Sequence, residues 1–138
     1  MPLENGIMHE RLSLLEENVA ELALFKKKHS LDELKKTKTV GWALRYGLLE
    51  SIQIIIDIAC HLVSKYNLGN PETYSECIEL LRKFKYIDEE LEDKLIGMVG
   101  LRNILAHEYT TVKIEKLYIL LDKLEDIKAF IQRIKPLL

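Results

Sequence analysis

Glycine, proline and cysteine are scarce in this chain: its 138 residues include 6 Gly, 3 Pro and 2 Cys. So few turn formers, set among Leu, Ile, Lys and Glu in every segment, exclude a sandwich or barrel and favour a helical bundle. The two cysteines, Cys60 and Cys77, make no CxxC pair and cannot staple a domain of this size. They read as buried or idle thiols of a reducing cytosol. An excess of one charge is also missing. A formal net charge of -2 and a pI of about 6.1 give no global basic field, so nucleic acid, if bound, must be held locally. No apolar run reaches the ~20 residues of a spanning helix. The most apolar stretch, residues 52–63, is interrupted by Gln53, Asp57 and His61. The N-terminus carries Glu4, His9 and Glu10 where a signal peptide needs an apolar core. The expectation is a soluble, cytoplasmic protein with no membrane contact.

What is present suits one domain spanning residues 1–138. Hydrophobic residues make up 48% and charged residues 30%, with a mean hydropathy of -0.04, enough for a core and too apolar for a disordered tail. Over residues 8–28, Leu12, Leu15, Val19, Leu22 and Phe25 recur at three- and four-residue steps, one face of a helix that ends on Lys26, Lys27 and Lys28. Ser30 with Glu33 matches a capping box for a second helical start. A long central helix follows over residues 40–66, with Leu44, Leu48, Ile52, Ile55, Ile58 and Leu62 inward, and it stops at Asn67-Leu68-Gly69-Asn70-Pro71. Thr73 caps a third helix over residues 74–84, Asp88 opens a fourth, and a fifth covers residues 113–134. The fold class is all-α: a single antiparallel bundle of about five helices.

The fourth helix carries the anomaly. Its apolar stripe steps through Leu91, Leu95 and Met98 to Arg102 and then Leu105. A guanidinium on that stripe should face a carboxylate, a polar cleft or an anionic ligand. Gly97 and Gly100, each costing ~1 kcal/mol inside a helix, suggest close approach of a backbone or ligand just upstream. Arg102 and His107 are five residues apart, roughly 140° around a regular helix. Either the helix ends near His107 and swings the ring back, or a two-fold dimer gathers both copies into one cleft. A surface arginine beside a helix-end histidine is the plain alternative. Asn103, four before His107, can fix the imidazole. On the long helix Gln53, Asp57 and His61 step by four, so Asp57 can bond His61; a solvated stripe is the alternative there. Zinc held by Asp57, His61 and His107 lacks the usual local ligand pattern, and His9 and His29 read as unpartnered surface residues.

The segment Arg102-Asn103-Ile104-Leu105-Ala106-His107-Glu108-Tyr109 resembles the Arg-x4-His-x-Tyr signature of the HepT-like ribonuclease toxins of the HEPN superfamily. Gln53 through Leu62, Pro71-Glu72-Thr73-Tyr74 and Ile87-Asp88-Glu89-Glu90-Leu91 are similar to family segments in the family's order. Cys60 departs from the pattern, where a polar residue is expected beside the histidine of the long helix. The resemblance implies a HEPN-like fold and an endoribonuclease needing neither metal nor cofactor. It also implies a homodimer with the Arg102 and His107 pairs at its interface. Those residues suit the chemistry, because His107 can transfer protons near neutral pH and Arg102 offers a planar fork to phosphate. Asn103, Asp57 and His61 would support them. The family's antitoxin, a minimal nucleotidyltransferase of the MntA type, transfers AMP to the motif tyrosine, which is Tyr109 here. RNA is the implied substrate. The rival reading is a non-catalytic HEPN module that binds RNA or nucleotide beside a nucleotidyltransferase, and a purely structural bundle is the third.

Overall fold

The computed structural model describes residues 2–107 and 112–138, with side chains from residue 6 onward except that of His107. Helix α1 (Pro2–Lys28) leads into a short α2 (Leu31–Lys36) and the 28-residue α3 (Lys38–Lys65). Then come α4 (Tyr74–Lys83), α5 (Glu89–His107), α6 (Ile114–Ile119) and α7 (Leu124–Ile134). No strand occurs among the described residues. Local chemistry sets these boundaries. Ser30 Oγ accepts from Glu33 N at 3.1 Å to start α2. Thr73 Oγ1 accepts from Glu76 N at 3.2 Å to start α4, and Asp88 Oδ1 accepts from Leu91 N at 2.8 Å ahead of α5. The chain leaves α3 through two left-handed residues, Asn67 (φ 52°) and Gly69 (φ 152°). At Gly69 a side chain would also press on Leu80 at 3.3 Å.

Helix α3 is the axis of the bundle. It packs on α1, α2, α4, α5 and α6, and Leu44, Ile52, Ile55, Ile58 and Leu62 are all but fully buried. By length and composition α3 alone among the described residues could cross a membrane, but 56% of its most apolar window is buried inside the bundle. That is the signature of a core helix. One contiguous core joins Leu12 and Leu15 of α1 to Phe130 and Ile134 of α7.

Four expectations need correction. The last helix is not continuous: α6 ends at Ile119, Leu120–Lys123 form a 3-10 turn, and α7 restarts at Leu124. Leu117 and Leu121 are both buried across the turn, with α6 packed on α2 and α3 and α7 packed on α1 and α5. The cysteines are not idle thiols, since Cys60 of α3 and Cys77 of α4 form a disulfide with Cα atoms 5.1 Å apart. The close packing of these two helices, not any local cysteine motif, brings them together. His29 is not unpartnered: Nδ1 lies 2.9 Å from Glu33 Oε1 and its ring 4.6 Å from that of Phe25. Finally, helix α1 begins at Pro2, earlier than its apolar periodicity.

Candidate active site on α1, α3 and α5

Arg102 sits half-buried on α5, and α3 meets it with Gln53. Arg102 Nε donates to Gln53 Oε1 at 2.7 Å, and Nη1 donates to Asn103 Oδ1 at 3.3 Å. Its guanidinium carbon lies 5.2 Å from the centroid of Tyr74, the first residue of α4. The stripe arginine therefore faces a polar cleft. The Gln53 amide continues the chain of bonds, its Nε2 donating to Asp57 Oδ1 at 2.9 Å. Asp57 Oδ2 in turn accepts from Arg11 Nη1 of α1 at 2.5 Å. Chemistry fixes the orientation of the Gln53 amide, because a guanidinium only donates and a carboxylate only accepts. Three helices are thus tied by one relay, Arg11–Asp57–Gln53–Arg102.

The two ends of the relay differ. Arg11 pairs with a carboxylate. Arg102 is held by two neutral carboxamides, which orient its fork without themselves cancelling its charge. Both guanidiniums line a groove of about 610 Å³ with Tyr46, Glu50 and Ala106. Tyr46 Oη donates to Glu50 Oε2 at 2.9 Å, and that carboxylate holds the phenol above its ordinary pKa. A second depression is lined by Asn103, Tyr74 and the Cys60–Cys77 disulfide. The disulfide joins α3 directly to α4, the helix whose first residue stacks on Arg102.

The structure thus joins Arg102, Asn103 and Asp57 in one cluster. Asp57 engages Arg11 and Gln53 rather than His61, which lies one turn further along α3 and is half-buried. Helix α5 is regular through His107; the His107 side chain and Tyr109 lie outside the described residues. Gly97 and Gly100 have open space where a side chain would sit: among the described residues nothing lies within 4 Å of that position. Sequence reasoning placed no role on Arg11 or Tyr74. Arg11 neighbours the α1 core stripe at Leu12, a position that carries no signal of its own. Tyr74 follows the Thr73 cap, which fixes where its ring begins the helix.

The family model for HepT-like ribonucleases matches residues 15–134. The chain belongs to the HepT-like ribonuclease family. Among its relatives in that family is the mRNA nuclease HepT of Shewanella oneidensis, 32% identical over 104 residues, or 75% of this chain and 78% of that protein. The tRNA nuclease HepT of Aphanizomenon flos-aquae is 32% identical over 93 residues, or 59% of this chain and 63% of that one. Among solved structures, the tri-AMPylated HEPN toxin of Shewanella oneidensis in complex with MNT antitoxin superposes with a TM-score of 0.85. It is 27% identical and covers 94% of this chain and 97% of that one. The HepT-like chain described here is accordingly an all-α HEPN domain, as its α5 motif and helix order imply.

Proposed function

We propose that this chain is the ribonuclease toxin of a toxin–antitoxin module, acting in the cytoplasm as a metal-independent endoribonuclease. The observation that carries this reading is Arg102, oriented by the Gln53 carboxamide at 2.7 Å into an open groove, five residues before His107. In the reaction an RNA 2′-OH attacks the adjacent phosphorus as His107 takes up or delivers the proton. Arg102 steadies the charge that builds on the phosphate oxygens. The P–O5′ bond breaks, leaving a 2′,3′-cyclic phosphate and a 5′-hydroxyl, so no water is consumed in this step.

A homodimer completes the site in this reading. With α5 regular through His107, positions 102 and 107 stand about 140° apart around its axis, so a second copy is the way to bring the two groups to one phosphate. Gly97, Gly100 and Ile104 share a helical face with position 107, and Ile104 is 37% exposed, which suits packing against another α5. Control rests on Tyr109 as acceptor of AMP from a minimal nucleotidyltransferase antitoxin. The AMP-bearing HEPN toxin of similar fold and the Arg-x4-His-x-Tyr spacing support this. Added phosphate charge two residues from His107 would exclude an anionic substrate. The relatives are named for both mRNA and tRNA, so the substrate class is RNA. The test is cleavage of RNA by purified protein in EDTA: activity should persist, and Arg102→Ala and His107→Ala should each abolish it. Cleavage that needs added metal, or that survives His107→Ala, would overturn the reading.

A further inference from the structure

Beyond Tyr46, on the side away from Arg102, a second groove of about 890 Å³ lies between α2, the first half of α3 and the start of α6. Its cations are Lys35 and Lys36 of α2, Lys38 and Arg45 of α3, and Lys113 before α6; no Asp or Glu lines it among the described residues. Two of these cations have carboxylate neighbours: Lys36 pairs with Asp32 at 3.0 Å and Lys35 with Glu115 at 3.5 Å. The Lys36 pair is about three-quarters exposed on both sides, so water and salt weaken it. Lys38, Arg45 and Lys113 have no ion pair with a carboxylate among the described residues. Arg45 is fixed instead by the carbonyl of Val112, which accepts from Nη2 at 2.6 Å. In a chain of net charge -2, such a grouping is a local construction.

The groove also holds the two most exposed large hydrophobic side chains among the described residues, Trp42 at 58% and Tyr46 at 65%. They stand four residues apart on α3, one turn or about 6 Å along its axis. The Lys38 ammonium is 5.5 Å from the Trp42 ring. Flat rings left in water among cations match what an unpaired nucleic-acid strand requires: π faces for its bases and positive charge for its phosphates. An acidic peptide would use the cations but has no matching demand for the rings. The groove is also continuous with the candidate active site. Tyr46 and Leu49 line both grooves, and Leu105, two residues before His107, lines this one.

We infer that the Trp42 groove is the docking channel for the single-stranded RNA that flanks the cleaved bond. Bases stack on Trp42 and Tyr46 while the backbone follows Lys38, Arg45 and Lys113 toward Arg102. This rests on the ribonuclease reading above and adds where the substrate enters. Trp42 is the only tryptophan in the chain, so its fluorescence reports on the groove directly. The experiment titrates a 12-nucleotide oligouridylate into full-length His107→Ala protein, which binds without cutting. Saturable quenching of Trp42 is expected. Trp42→Ala should weaken binding, read by anisotropy of a labelled strand, about tenfold. Lys38→Gln/Lys113→Gln should leave the fold intact by circular dichroism and lower the slope of log K against log salt by about 1.4. A duplex of the same length should quench far less. Binding without quenching, unchanged by both variants, would overturn the inference while parent cleavage leaves the ribonuclease reading standing. Quenching by the nucleotidyltransferase partner and not by RNA would make the groove a protein surface and overturn it as well. A parent protein that neither binds nor cuts RNA would end both.

Discussion

Arg11 and Arg102 occupy the two ends of one hydrogen-bonded relay and are treated differently by their surroundings. Arg11 faces the Asp57 carboxylate; Arg102 faces the Gln53 carboxamide. The first arrangement closes an ion pair that ties α1 to α3. The second fixes a guanidinium in place yet uses a neutral group to do so. A phosphate approaching Arg102 does not have to displace a carboxylate from Gln53's position, whereas at Arg11 it would compete with Asp57. The same residue type is therefore held by a carboxylate at one end of the relay and by a carboxamide at the other.

The comparison orders the expected effects of substitution. Arg102→Ala should lower the cleavage rate by about 100-fold or more, the scale of removing one donor to a developing oxyanion. Arg102→Lys should stay well below the parent because an ammonium lacks the planar fork. Single-turnover rates on RNA measure both, and a near-parental Arg102→Lys would show that charge alone suffices. Gln53→Glu comes next. It keeps the shape and the contact but gives Arg102 a carboxylate, one turn from Asp57, and cleavage should fall by about tenfold. An unchanged rate would remove the distinction between the two arginines. Arg11→Ala and Asp57→Asn should cost only about two- to fivefold in rate, as expected for a part-exposed pair acting through Gln53. The smallest effect is expected at Tyr109. Tyr109→Phe should cleave at the parental rate yet resist silencing by the nucleotidyltransferase and ATP, read as the absence of an AMP adduct by intact mass. An adduct equal to that on the parent would move the acceptor elsewhere.

Much of the fold was legible in the sequence because its signals are local. The Ser30 and Thr73 caps, the Asp88 start and the Asn67–Gly69 exit all act within one turn. The buried stripe of α3 follows from its period of 3.6. The break at Leu120–Lys123 was not legible, since Leu117, Leu121 and Leu124 keep the spacing of a continuous helix and all three are buried. At the site, the misfit of Arg102 on an apolar stripe was visible, and so was the step Gln53–Asp57. Their partnership was not: Arg11 and Gln53 meet Asp57 and Arg102 across 46 and 49 residues, and no local pattern encodes such pairings. The Cys60–Cys77 bond was missed for the same reason, as the two cysteines lie on different helices with no local pairing motif.

The most direct measurement is the chemistry of the RNA ends made by the purified protein in EDTA. Attack by the 2′-OH, with His107 moving the proton and Arg102 steadying the phosphate, predicts fragments ending in a 2′,3′-cyclic phosphate and beginning with a 5′-hydroxyl, and none from His107→Ala. Fragments ending in a 3′-hydroxyl, or the same cyclic ends from His107→Ala, would contradict it.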